Sequence, residues 1–252
     1  MYEHLSVERR DEVLVVRINR PPANAIDLRL LEEGHAALEE LRADPPGAIV
    51  LTGSDGFFSA GVDLKVAPTL DRRQQGQMVA GINRIFAGWY GFPRPVVCAV
   101  NGHAIAGGLI LALCADYRVG ATEGRLGLTE LRAGFPYPTV AKAVAQAELG
   151  PAAARILMLR AQLVEPQEAL ALGLVDELVE PDRVLSRALE VAEQMAGLPR
   201  STYEQVKRQL RGETIELAER VVAEGSDPFE QGWAGPETPD AAAAILARAP
   251  DP

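Results

Sequence analysis

Short apolar runs alternate with amphipathic ones along the first 121 residues. Val13 to Ile18 (VLVVRI) is a β-branched run of strand length. RPPANAID follows as a turn, with Asp27 placed to cap a helix over 28–43. Leu28, Leu31, Ala37, Leu38 and Leu41 fall there at roughly helical spacing. AIVLTG, from Ala48 to Gly53, predicts a second strand, and it empties into SDGFFSAGVDLK, a loop rich in Gly and Ser. Arg72 to Phe92 predicts a helix that Pro93 and Pro95 end. VVCAVNG predicts a third strand, Gly107 begins another helix, DYRVGA is a fourth strand, and GRLGLTE (Gly124 to Glu130) a short extended piece.

From Thr139 onward the pattern is helical, over 140–149, 152–159, 166–173, 183–197, 201–211 and 214–225. DAAAAILARAP, from Asp240, is a terminal helix or a frayed tail. Alternating strand and helix argues for parallel pairing in an α/β core. The helical last hundred residues form an appendage suited to assembly.

Composition narrows the partners. The chain has 252 residues, 48% of them apolar, enough for a real core. A net charge of −10 disfavours nucleic acid and anionic membranes. Cys98 and Cys114 sit inside apolar runs and predict buried thiols in a reducing compartment. The N-terminus is charged from its third residue and has no apolar signal core, so the expected location is cytoplasmic. Pro95 to Ala115 lacks Asp, Glu, Lys and Arg, but Asn101, Gly102, His103 and the Gly107-Gly108 pair interrupt it. That favours a buried strand-turn-helix over a membrane span.

Ligands of open α/β sheets gather beyond the carboxyl ends of strands. Three loops leave strands that way: FFSAGVDLK, NGHAIAGG and LGLTELRAGFPYP. Ala60 and Gly61 leave backbone amides uncovered, and Gly107 opens a helix, where amides lack internal partners. Two such amides would make an oxyanion hole; two tight turns that need glycine for steric reasons explain the pattern as well. Glu130 lies among apolar neighbours, so it is either a general base or a surface acid paired with Arg125 or Arg132. The three histidines, His4, His35 and His103, have no metal-ligand spacing, and no dinucleotide or phosphate-binding glycine loop is present.

Taken together, the loops resemble the crotonase superfamily of enoyl-CoA hydratases and isomerases. FFSAGVDLK is similar to its F-x-x-G-x-D-[LI] segment, AVNGHAIAGGLILALCAD to its triple-glycine segment, and LGLTELRAG to its third loop. RPPANAID and ALALGLVDELV, the latter from Ala169, match further segments in order. The resemblance implies a spiral of repeated ββα turns with a C-terminal helical region. It divides the chain into a core with an acyl-CoA site over 1–195 and a region for assembly and site covering over 196–252. Homotrimers, or hexamers as dimers of trimers, are expected.

The resemblance also implies an acyl-CoA thioester substrate, with coenzyme A entering only as part of it and no permanently bound cofactor or metal. The thioester oxygen would sit between the Ala60 and Gly107 amides. Coenzyme A would lie against Ala23, Ala25 and the segment Ala60, Gly61, Val62, Asp63 and Leu64. Gly108, Ile110 and Tyr137 complete the expected lining, Tyr137 adding either a hydroxyl or packing. Asp63 holds its loop rather than doing chemistry.

Hydratases of the family carry two glutamates. Ile110 stands at the first position, Ala106 replaces the first glycine, and Glu130 matches the second glutamate. One acid suffices to move a double bond, so the pattern is most similar to Δ3,Δ2-enoyl-CoA isomerases. A hydratase-like enzyme, a thioester hydrolase or decarboxylase, and a non-catalytic acyl-CoA-binding subunit are the alternatives.

Overall fold

The computed structural model describes residues 2–54 and 56–247. Strands β1 (Leu5–Arg10) and β2 (Val13–Ile18) form an antiparallel hairpin. Helix α1 (Leu28–Ala43) follows, and the Asp27 carboxylate accepts the Leu30 N–H at 2.8 Å as its cap. Three further turns of chain then wind in the same sense. The first is β3 (Ala48–Thr52), β4 (Phe57–Ser59) and α2 (Arg72–Tyr90); the second is β5 (Val96–Val100), β6 (His103–Ile105) and α3 (Gly107–Leu113). The third is β7 (Tyr117–Ala121) and β8 (Leu126–Gly127), after which the chain turns helical. It continues through α4 (Thr139–Glu148), α5 (Pro151–Leu159), β9 (Leu163–Val164), α6 (Pro166–Ala171), β10 (Glu177–Val179), α7 (Val184–Ala196), α8 (Arg200–Glu224) and α9 (Thr238–Leu246).

Each of these three further turns contributes one strand to each of two sheets, which is the expected ββα spiral. The larger sheet runs β1-β2-β3-β5-β7-β10 and is parallel apart from the β1–β2 hairpin. The smaller runs β4-β6-β8-β9. Strands β3 and β5 are buried along their whole length because both faces are covered. Ile49, Leu51, Cys98 and Val100 face the core under α1, α2 and α3, whereas Val50, Val97 and Ala99 pack on Val184, Ala188 and Ala192 of α7. Both cysteines are buried and free.

Two elements differ from expectation. Strand β1 was hidden by LSVERR, whose last five residues are exposed on the sheet edge and mostly charged. The helices predicted over 201–211 and 214–225 are one, α8, because Gly212 meets only open space. A mid-helix glycine costs about 1 kcal/mol, and tertiary anchoring offsets it. That anchor is a buried ion cluster: Asp116 accepts from Lys207 Nζ at 2.8 Å and Arg211 Nη1 at 2.9 Å, and Arg211 also reaches Glu148 at 3.1 Å. The predicted terminal helix is α9; its extension past 247 lies outside the described residues.

Candidate active site

Strands β4, β6 and β8 are parallel neighbours, so their three loops leave one sheet edge together. The Ala106 N–H donates to Gly127 O at 2.8 Å, which sets the Gly107 turn beside the segment leading to Glu130. On the other side a Cβ on Gly61 would stand 3.0 Å from Gly107 N and 2.8 Å from Ile105 O. At φ 77° Gly61 is also in the left-handed region. Glycine there lets the two loops touch.

The choice of amides needs correction. The Ala60 N–H, expected to help hold a thioester oxygen, donates to Ala23 O at 2.9 Å and is already engaged. The next residues pair in parallel with Ile26: its N–H donates to Gly61 O at 2.7 Å, and the Asp63 N–H donates to Ile26 O at 2.9 Å. Backbone direction alternates along an extended segment, so the intervening Val62 N–H points away from Ile26. Among the described residues, Val62 N–H and Gly107 N–H have no acceptor. Gly107 is the first residue of α3, where no intrahelical partner exists.

Ala106, standing where the family pattern has glycine, takes φ 51° and ψ −125°, a conformation that favours glycine. Gly108 packs flat on the Ser59 carbonyl, leaving no room for a Cβ. Ile110, expected among the lining residues, is fully enclosed in the core. An apolar crevice of about 40 Å³ behind Gly107, bordered by Ile26, Leu30, Ile85, Phe86 and Trp89, does not extend to Glu130.

Glu130 opens a single helical turn, Glu130–Ala133. The residue as a whole is half-buried, but carboxylate Oε2 is sealed from solvent and has no hydrogen-bond partner among the described residues. Burial pushes this carboxyl up to about 7, against the opposing pull of its own amide and the nearby Tyr137 hydroxyl. Neither Arg125 nor Arg132 pairs with it; Arg125 binds Glu165 at 2.5 Å. A carboxyl poised near neutrality in a dry site can both take and return a proton.

The C-terminal segment closes over this turn from the same chain. Trp233 Nε1–H donates to Pro136 O at 2.8 Å, and its ring lies 4.4 Å from that of Phe135. Thr238 Oγ1 donates to Gly134 O at 2.8 Å. Buried Asp227 accepts the Thr139 N–H at the start of α4 at 2.6 Å and Asn83 Nδ2 at 2.9 Å. No local pattern in the sequence marks these residues, because each acts about ninety or more positions away from its partner.

Arg20 is a further residue that sequence reasoning passed over. It binds Asp27 at 3.0 Å, Asp63 at 2.9 Å and the Ala25 carbonyl at 3.2 Å, clamping the two segments expected to meet coenzyme A. Its place at the head of RPPANAID was its only signal. Asp63 also accepts the Lys65 N–H at 3.0 Å, a loop-holding arrangement. Leu64 packs on the main core. His103 stacks on Phe57 at 4.6 Å. Among the described residues no group of three or more His, Cys, Asp or Glu is placed to hold a metal, and no helix is long and apolar enough to cross a membrane.

Comparison with known proteins agrees with this fold. The family model described as enoyl-CoA hydratase/isomerase matches residues 8–231. A putative enoyl-CoA hydratase of Thermus thermophilus is 38% identical over 192 residues, 74% of this chain and 76% of that protein. The human mitochondrial Δ3-Δ2-enoyl-CoA isomerase superposes with a TM-score of 0.85 at 26% identity, covering 98% of both chains. A probable enoyl-CoA hydratase of Mycobacterium tuberculosis superposes at 0.83 with 28% identity, covering 89% of this chain and 95% of that one.

Proposed function

The chain belongs to the enoyl-CoA hydratase/isomerase family, enzymes that act on acyl-CoA thioesters, and from that premise we propose that it converts 3-enoyl-CoA to 2-enoyl-CoA. The thioester oxygen sits between the Val62 and Gly107 amides. Glu130 removes a proton from C2, the amides hold the charge of the dienolate on oxygen, and Glu130 returns the proton at C4. Coenzyme A enters as the carrier of the acyl group, along the Ala23–Ala25 turn and the Gly61–Leu64 segment that Arg20 ties together.

One observation carries the reading: a single buried carboxyl, raised to about 7, with apolar Ile110 where a hydratase keeps its other acid. Hydration needs one group to position water and another to supply a proton; allylic proton transfer needs one base alternating between states. Removing one oxyanion donor typically costs about 3 kcal/mol of transition-state stabilisation, so the amide pair is a large part of the chemistry. The test is incubation with 3-hexenoyl-CoA, following the absorbance of the conjugated thioester. No turnover, or full turnover by Glu130→Gln, overturns it.

Hydration is the second reading, favoured by the names of relatives such as the Thermus protein. Water addition to crotonyl-CoA by the unaltered protein, faster than isomerisation, would establish it. We also propose assembly into trimers or paired trimers, supported by Val206 and Leu210, which stand 54% and 82% exposed on α8. Sedimentation equilibrium decides this.

A further inference from the structure

Glu130 begins a turn of four residues that is weakly held from within. Among the described residues no side chain caps it, and Leu131 is 57% exposed. Its own bonds are local: the Arg132 N–H donates to Thr129 O at 2.9 Å and the Gly134 N–H to Leu131 O at 3.3 Å. Tight single turns of this kind have poor hydrogen-bond geometry. The bond that reaches Glu130 itself comes from just beyond the turn, from the Phe135 N–H to Glu130 O at 3.0 Å. The proposed reaction asks one carboxylate to serve C2 and then C4 of the same substrate. Misplacing a reacting group by about 1 Å can cost roughly a hundredfold in rate.

The C-terminal segment supplies the missing stiffness. Thr238, the first residue of α9, is fully buried. Its hydroxyl donates to Gly134 O at 2.8 Å and accepts the Gly235 N–H at 2.9 Å. Gly134 and Thr238 meet backbone to backbone, since a Cβ on Gly134 would stand 3.0 Å from Thr238 Cα. The Trp233 Nε1–H donates to Pro136 O at 2.8 Å. The two held carbonyls therefore flank Phe135, the residue whose N–H holds Glu130. The other end of the segment is seated on α2. Gln75 Oε1 accepts both the Trp233 and the Ala234 N–H at 2.9 Å, and a Cβ on Gly76 would run into Glu230 O. Buried Asp227 accepts Asn83 Nδ2 of the same helix at 2.9 Å.

We propose that Thr238 is a positioning residue for the base: its hydroxyl, with the Trp233 indole beside it, links α2 to the Phe135–Glu130 bond and so sets where the Glu130 carboxylate stands over the substrate. The inference rests on the reading of Glu130 as the base. A loosened carboxylate still removes a proton from C2 but reaches C4 less often, so it returns the proton to C2. In D2O the carboxyl exchanges that proton for deuterium before returning it, and the 3-enoyl substrate is recovered with deuterium at C2. The share of proton removals that end this way rather than in product belongs to each turnover. It does not depend on how much of the enzyme is folded.

The experiment compares wild type with Thr238→Val, which nearly keeps the shape and removes the hydroxyl, and Thr238→Ser, which keeps the hydroxyl. Mass spectrometry follows 3-hexenoyl-CoA in D2O. Relative to product formed, C2 deuteration of recovered substrate should rise about fivefold in Thr238→Val and kcat should fall about tenfold with KM little changed, while Thr238→Ser returns toward wild type. Hydrogen exchange of the free protein, read by NMR, follows the same link without substrate. The Phe135 amide should exchange about tenfold faster in Thr238→Val, with the amides of β5 unchanged. Trp233→Phe, which removes the indole N–H, takes both measurements if Thr238→Val does not fold. An unmoved deuteration ratio, a serine variant no better than valine, or an unmoved Phe135 amide overturns the proposal. Turnover of 3-hexenoyl-CoA by wild type no faster than by Glu130→Gln overturns instead the assignment of the base, and the Phe135 amide still decides the link.

Discussion

Glu130→Gln should stabilise the protein as it removes the chemistry, and the gain should depend on pH. The folded carboxyl is held at about 7, mainly by burial, against an ordinary value of 4.5. Between those values the native state binds more protons than the unfolded chain, so stability falls as pH rises. The full stability of this group is present below pH 4.5 and is lost as pH climbs through about 7. The loss amounts to about 1 kcal/mol at pH 5 and about 3 kcal/mol at pH 8.5. Glutamine is nearly isosteric and carries no charge to desolvate, so it escapes that cost. Urea unfolding of both proteins at pH 5 and pH 8.5, at one fixed protein concentration, measures the difference. The variant should gain about 2 kcal/mol more at the higher pH, with an unchanged m-value. An equal difference at both pH values would refute the idea that burial raises Glu130, and with it the poised base.

Gly61→Ala should lower kcat about a hundredfold, because its Cβ would stand 3.0 Å from Gly107 N and displace an oxyanion donor; steady-state kinetics on 3-hexenoyl-CoA checks this, and unchanged kcat would contradict the Val62–Gly107 pair. Asp116→Ala strips Lys207 and Arg211 of a shared partner in the interior and should cost about 3–5 kcal/mol by urea unfolding, whereas Glu12→Ala, which breaks an exposed pair with Arg200, should change nothing measurable. Ile110→Glu restores the second acid of a hydratase and should introduce hydration of crotonyl-CoA, measurable as loss of the conjugated absorbance, with lower stability because Ile110 is fully enclosed. Ala106→Gly should be tolerated and Gly108→Ala should not, since the first relieves a conformation suited to glycine and the second drives a Cβ into the Ser59 carbonyl; circular dichroism melts separate them.

Much of this molecule was legible locally. Val13–Ile18, Ala48–Thr52 and Val96–Val100 announce themselves because both faces of the larger sheet are covered, so an unbroken apolar run is what burial demands. Asp27 announces a helix start because capping is a contact between residues three apart. Glu130 and the glycines of the two amide loops stood out by residue type, and the order of the loops along the chain sufficed for the family. Strands β4, β6 and β9 did not stand out, because two or three residues show no period.

Tertiary structure decided which amide is free. Residue type alone pointed to Ala60; in the fold the Ala23 carbonyl engages its amide, while the pairing of Ile26 with Val62, thirty-six positions apart, leaves the Val62 amide without an acceptor. The same holds for Arg20 between Asp27 and Asp63 and for Trp233 and Thr238 over the Glu130 turn. Sequence fixes periodicity, caps and chemical type because these depend on neighbours within a turn or two. Orientation and desolvation depend on what the fold brings from far along the chain. The direction of one N–H and the dryness of one carboxyl were therefore settled only when the strands paired and the C-terminal segment closed.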